Sequence, residues 1–160
     1  RVLFLQGGAT GQFAAIPLNL SREGEVADYV NTGQWSAKAI AEARRYLGVN
    51  VAADEKPSNY STVPAPGALR LTRGAAYVHY TPNETIGGVE FPYVPETGDV
   101  PLVADMSSTI LSRRIDVAKF GLIYAGAQKN IGPSGITVVI VRDDLLGRAR
   151  AQTPSVVDYK

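Results

Sequence analysis

Two residues in this sequence stand where chemistry would be done: Lys129 and, 24 residues before it, Asp105. Lys129 lies in Ala125-Gly126-Ala127-Gln128-Lys129-Asn130-Ile131-Gly132-Pro133-Ser134-Gly135, where one amine is set among residues with little side chain. Small neighbours let a flat, bulky group approach the backbone closely. A lysine desolvated there has a lowered pKa and is nucleophilic as the free amine, which is the chemistry of an imine-forming lysine. The competing reading is a solvated turn lysine, the common fate of a lysine that follows a strand. A nucleotide phosphate loop is disfavoured, because Gly-x-x-x-x-Gly-Lys-Ser/Thr does not occur.

Asp105 closes the compact apolar run Leu102-Val103-Ala104. A carboxylate at the end of a buried strand needs a partner. A metal, a helix N-terminus and a cationic ring nitrogen are the three candidates. The phosphatase-like Asp-x-Asp-x-Thr is not met, since Ser107 holds its third position. The spacing of Asp105 and Lys129 allows two neighbouring parallel strands joined by a crossover over 109–120. Both side chains then emerge at one sheet edge. The single tryptophan, Trp35, opens a helical stretch and reads either as a core ring or as a stacking surface for a planar group. His79 alternates with Val78 and Tyr80 and reads as a packed histidine rather than a catalyst.

The elements that must position these residues follow from periodicity. Residues 121–125 and 136–141 flank the lysine turn as buried, β-branched strands. Residues 2–5 form another strand, which runs through Gly7-Gly8-Ala9-Thr10-Gly11-Gln12 into a helix. Backbone N–H groups at such a helix start bind phosphate, although most Gly-rich turns are only turns. Residues 26–30 form a short strand. A helix spans 35 to about 47, with Ile40, Ala43 and Leu47 on one face and Gly48 after it. Residues 54–74 are a Pro-rich surface connection, 75–80 a strand, and 87–101 a meander. Asn83 and Thr85 lie at the strand end as turn residues. Arg113 and Arg114 read as part of a solvated connection, and 143–150 as a short helix. Alternating strands and helices give an α/β fold: a mostly parallel sheet covered on both faces.

Composition narrows the function. The net charge of +1 gives no reason to expect nucleic acid or an anionic membrane as partner. The chain has no cysteine and one histidine, which excludes disulfides and thiolate metal sites and makes a His-rich zinc site implausible. No apolar run is long enough to span a bilayer, and no signal peptide is visible. The strand that starts at once and the polar end at Lys160 read as a segment of something longer.

The stretch from Tyr124 to Gly135 resembles the pyridoxal-phosphate lysine segment of the phosphoserine aminotransferase family. The similarity runs from Val2-Leu-Phe-Leu-Gln-Gly-Gly8 to Pro154-Ser-Val-Val-Asp-Tyr159. The resemblance implies residues 1–160 as part of the large cofactor-binding domain of a fold-type-I, three-layer α/β/α enzyme. The small C-terminal domain would be absent from them. It implies pyridoxal 5'-phosphate as cofactor and amino transfer between phosphoserine and 2-oxoglutarate in serine biosynthesis, and in some members vitamin B6 synthesis. By resemblance, Lys129 carries the cofactor, Asp105 pairs with its ring nitrogen and Trp35 stacks on the ring. Thr85 reaches its phenolic oxygen, and Ala9, Thr10 and Gln128 hold its phosphate. Some members carry arginine where Thr10 stands, so a charge used there must come from elsewhere. A cytoplasmic homodimer is implied, with an Asn-Thr pair from the partner completing the phosphate site; the isolated segment is expected to be inactive. Another pyridoxal-phosphate enzyme of the same fold, or an anion-binding module with Lys129 as a phosphate contact, remain the alternatives.

Overall fold

The computed structural model describes all residues, 1–160. Nine strands and two α-helices follow one another as β1 (Val2–Gln6), α1 (Ala9–Leu20), β2 (Val26–Asn31), α2 (Gln34–Ala43), β3 (Gly48–Asp54), β4 (Val78–Tyr80), β5 (Asn83–Glu84), β6 (Val89–Glu90), β7 (Leu102–Asp105), β8 (Leu122–Gly126) and β9 (Ile136–Val141). Seven of the strands form one sheet in the order β1-β9-β8-β7-β4-β2-β3, and β5 and β6 form a separate small hairpin. The pairs β2–β3, β2–β4, β4–β7 and β7–β8 are parallel. Only β9 runs against its neighbours β1 and β8. The strands β1, β2, β4, β7 and β8 therefore all end at one edge, the edge where open α/β sheets place their sites.

Each face of the sheet has its own core. On one face Phe13 and Ile16 of α1 and Ala39 and Ile40 of α2 pack on Tyr29, Val103, Leu122 and Tyr124. Burying one such Ile or Phe contributes roughly 1.5–3 kcal/mol. On the other face Val78, Tyr80, Leu102, Ala104 and Ile123 lie under Phe91, Met106, Ile110 and Phe120. That third layer holds no α-helix. Its prolines and the crossover over 109–120 give irregular chain, with a 3-10 turn at Val117–Lys119 in the crossover.

Besides the missing α-helices of the third layer, the short helix expected over 143–150 is only a 3-10 turn, Asp143–Leu145, and three further expectations change. The helix expected to reach residue 47 ends at Ala43, and Gly48 starts β3, a strand the sequence reading did not separate. The Gly48 N–H bonds to the Glu25 carbonyl at 3.1 Å, so β3 begins pairing at the foot of β2. β9 is buried on one face only, in contrast to the fully buried β8, because its other face looks outward beside the edge strand β1. No helix of the chain is long and apolar enough to cross a membrane.

Candidate active site

The lysine turn starts where β8 runs out. Ala127 bonds back to Ile136 across the turn at 2.9 Å, and the Gly132 N–H closes on the Ala127 carbonyl at 2.8 Å. The Asn130 side chain is tied to the Ile110 carbonyl. Held so, Lys129 reaches sideways. Its Nζ donates to Thr85 Oγ1 at 2.7 Å and lies 4.5 Å from the centre of the Trp35 ring. Lys129 is exposed on the surface rather than enclosed. Partial burial still draws its pKa below the ordinary value, against the opposing charges of Asp105 and Glu84. Lys38, also 4.5 Å from the indole centre, is a second amine beside the ring.

Asp105 is paired in register with Tyr124 on the adjacent parallel strand, and only 5% of it is exposed. Its Oδ1 accepts from the Ser107 N–H at 3.0 Å and the Ser107 hydroxyl at 2.6 Å. Ser107 Oγ in turn accepts from Gly126 N–H at 3.0 Å, which locks Asp105 to the strand that delivers Lys129. Three carboxylates are buried, Asp28, Glu84 and Asp105. Asp28 and Glu84 use both oxygens in hydrogen bonds. Asp105 uses only Oδ1, leaving Oδ2 uncommitted. Burial pushes its carboxyl above the ordinary value, while Ser107, the Lys129 charge and the Tyr124 hydroxyl pull it back.

Two helix N-termini meet this edge, and they differ. The N-cap of α1 is Gly8, with no side-chain cap and no acidic residue in the first turn. Its Ala9 backbone nitrogen lies 3.0 Å from where a Cβ on Gly126 would stand, and Gln128 Oε1 lies 2.7 Å from the same point. Glycine at 126 thus lets Ala9, Gln128 and the end of β8 converge. Thr10 follows Ala9, exposed on the same turn. The N-terminus of α2 is taken: Glu84 accepts from Trp35 N–H at 2.9 Å and Ser36 N–H at 2.8 Å. An anion arriving at this edge finds open N–H groups only on α1.

His79 lies behind the site and is 1% exposed. Its Nε2 is 2.9 Å from the Tyr124 hydroxyl, its ring stacks on Tyr29 with centres 4.8 Å apart, and Nδ1 has no partner. Burial lowers its pKa from the ordinary 6.5 to about 3. The unfolded chain therefore takes up a proton between about 6.5 and 3 that the folded chain refuses. Stability is lost as pH falls through that window, at about 1.4 kcal/mol per pH unit. Unfolding free energies from urea titrations of the parent and of His79→Gln should differ by a margin that shrinks as pH falls from 6.5 to 4, at a slope approaching that value; parallel curves would count against it.

The sequence pattern of the family described as aminotransferase class-V matches residues 1–155. The chain belongs to the class-V aminotransferase family. Within that family it is 66% identical over all its residues to the phosphoserine aminotransferase of Pseudomonas putida, and 67% to that of Pseudomonas aeruginosa. The solved phosphoserine aminotransferase of Bacillus circulans subsp. alkalophilus superposes on 99% of the chain with a TM-score of 0.96 and 53% identity. The pyridoxal-phosphate-bound phosphoserine aminotransferase of Trichomonas vaginalis superposes with a TM-score of 0.91 and 44% identity. The chain spans 44% of the length of the curated relatives it matches.

For a class-V aminotransferase segment, the residues picked from sequence are placed coherently. Lys129 Nζ meets both Thr85 and the Trp35 ring, Asp105 is tied through Ser107 to the strand that delivers the lysine, and Ala9 and Gln128 flank Gly126. Thr10 makes no bond into the cluster. Ser107, Lys38 and Glu84 lie against these residues as well and were not singled out from the sequence. Gly33 before α2 leaves room for a cap from elsewhere, as Gly8 before α1 does, and the sequence does not say which of the two helix starts receives one. A surface cavity of about 240 Å³, lined by Tyr80, Phe91 and Met106, belongs to the opposite, loop-covered face and holds none of these groups, whereas an open one of about 590 Å³ beside α1 and α2 is lined by Thr10 and Lys38.

Proposed function

We propose that this chain forms the cofactor-binding part of a phosphoserine:2-oxoglutarate aminotransferase that works with pyridoxal 5'-phosphate. The observation that carries the reading is the meeting of Lys129 with Thr85 and Trp35 beside a buried carboxylate that has one oxygen to spare. The similarity to named phosphoserine aminotransferases supports the choice of substrate.

The residues fit this cofactor. Trp35 offers a flat apolar face, and Gly126 removes the Cβ that would fill the space between Ala9 and Gln128. When bound, pyridoxal phosphate supplies an electron-withdrawing ring that stabilises a carbanion at the substrate Cα. Asp105 would hold a proton on the ring nitrogen, because a nearby anion favours the cationic form. Lys129 would attach the cofactor and then, released, move a proton at the substrate Cα. Thr85 would orient Lys129 and the phenolic oxygen. Ala9, Thr10 and Gln128 would take the phosphate at the open start of α1. We further place the activity in a cytoplasmic homodimer, as the family resemblance implies, and its sites are completed outside residues 1–160.

The test is glutamate formation from phosphoserine and 2-oxoglutarate by the full-length enzyme, with aspartate and alanine as competing donors. Light scattering reports its assembly. Preference for phosphoserine supports the reading. Turnover with another donor alone would assign a different aminotransferase. No visible cofactor band and no borohydride-trapped adduct would point to the anion-binding alternative.

A further inference from the structure

Glu84 is 1% exposed and meets no lysine or arginine in a salt bridge. A buried carboxylate costs several kcal/mol unless its oxygens are bonded, so its partners explain why it is there. Both lie on one helix start. Oε2 accepts from Trp35 N–H and Oε1 from Ser36 N–H, the second and third residues of α2. These are the two donors that an N-cap side chain ordinarily satisfies. Here the N-cap is Gly33, which has no side chain, and a Cβ on it would stand 2.7 Å from Glu84 Cδ and 2.8 Å from Oε2. Gly33 has φ of 165°, extended backbone open to any residue, so the contact with Glu84 is what glycine permits there. The next residue, Thr85, turns the other way and accepts from Lys129 Nζ. One dipeptide therefore grips the helix that carries Trp35 with its first side chain and the lysine with its second.

We propose that Glu84 is a positioning residue of the site: its carboxylate stands in for the missing cap of α2 and sets the Trp35 ring relative to Lys129 and Thr85. Trp35 is bonded through its own backbone N–H, so moving the carboxylate moves the residue that bears the ring. The indole Nε1 is buried without a partner, so no hydrogen bond from the ring itself fixes its place. A second consequence is electrostatic. The carboxylate occupies the positive end of α2 and leaves the start of α1 as the open anion site. The charge on Glu84 also favours the protonated form of Lys129. Its usefulness to catalysis rests on the function proposed above; the contact itself does not.

The test therefore begins without cofactor. In the full-length protein, the indole N–H resonance of Trp35 is assigned by its loss in Trp35→Phe. Glu84→Gln keeps the shape but turns an N–H donor toward one of the two backbone donors. Gly33→Ala pushes the intact carboxylate from the opposite side. Both should shift the Trp35 indole and the Trp35 and Ser36 amides in the same sense while the sheet signals, His79 among them, stay in place. With pyridoxal phosphate added, both should weaken binding about tenfold, the loss of one charge-assisted bond. An indole resonance unmoved in either folded variant overturns the proposal. Should both variants fail to fold, hydrogen exchange in the parent decides: Trp35 and Ser36 amides should exchange far more slowly than the uncapped Ala9 and Thr10 amides, and equal rates overturn it. Shifted indole signals in the variants, with no phosphoserine turnover by the parent enzyme, would keep the clamp and sink only the proposed substrate.

Discussion

Lys129→Ala should leave a folded enzyme that binds pyridoxal phosphate without a covalent link and no longer transfers an amino group. The fold should survive because Lys129 is exposed and its side chain makes one hydrogen bond, to Thr85. Surface changes of that kind stay within about 0.5 kcal/mol. Activity should not survive, because two tasks fall on one amine. A positioned general base alone is worth about 10²–10⁴-fold, and the covalent attachment is lost besides. A drop of at least about 10³-fold in kcat is expected. Lys129→Arg should do no better, since a guanidinium stays charged and cannot act as nucleophile. Mass spectrometry after borohydride treatment locates the link. A pyridoxyl group on Lys38 or Lys119, with Lys129 unmodified, would move the chemistry elsewhere.

The lysine and the aspartate were legible because each closes or follows a short apolar run, and two such runs 20 residues apart with a crossover between them have few arrangements. The register bears this out: Asp105 pairs with Tyr124 on the neighbouring parallel strand. Glu84 lay hidden between two residues that were singled out, Asn83 and Thr85. Its partners are 48 and 49 residues upstream, and nothing in Asn-Glu-Thr announces a carboxylate that caps a distant helix. The strand β3 was absorbed because Gly48 reads as a helix stop; Val49 and Val51 alternating around Asn50 carried the strand period all the same. The buried polar chain of Tyr77, Tyr29, His79 and Tyr124 joins three regions of sequence, and only the order of β2, β4, β7 and β8 in the sheet brings them together. Local patterns specify strands and turns. Contacts set by strand order become readable only when that order is known.

Asp105→Asn should separate stability from rate most sharply. Asparagine keeps an Oδ1 that can accept both Ser107 bonds, so the link from Ser107 to Gly126 should hold. Burial disfavours the charged form of Asp105, and a neutral amide removes that penalty. Stability at neutral pH should therefore be equal or higher. The rate should fall, because the group offered to the ring nitrogen is no longer an anion and no longer favours a proton there. Loss of about 3 kcal/mol of transition-state stabilisation slows proton removal from the substrate Cα more than a hundredfold. The same substitution takes a negative charge from beside Lys129, whose pKa should drop further, so its free amine should persist to lower pH. In the parent without cofactor, burial raises the Asp105 pKa, so its carboxylate is lost earlier than an ordinary aspartate as pH falls; a cationic ring nitrogen beside it would pull that pKa back down. Single-turnover kinetics of the full-length enzyme measure the rate, and urea denaturation the stability. A variant within threefold of the parent rate would remove Asp105 from the chemistry. A slow variant that is also strongly destabilised would make it a structural residue.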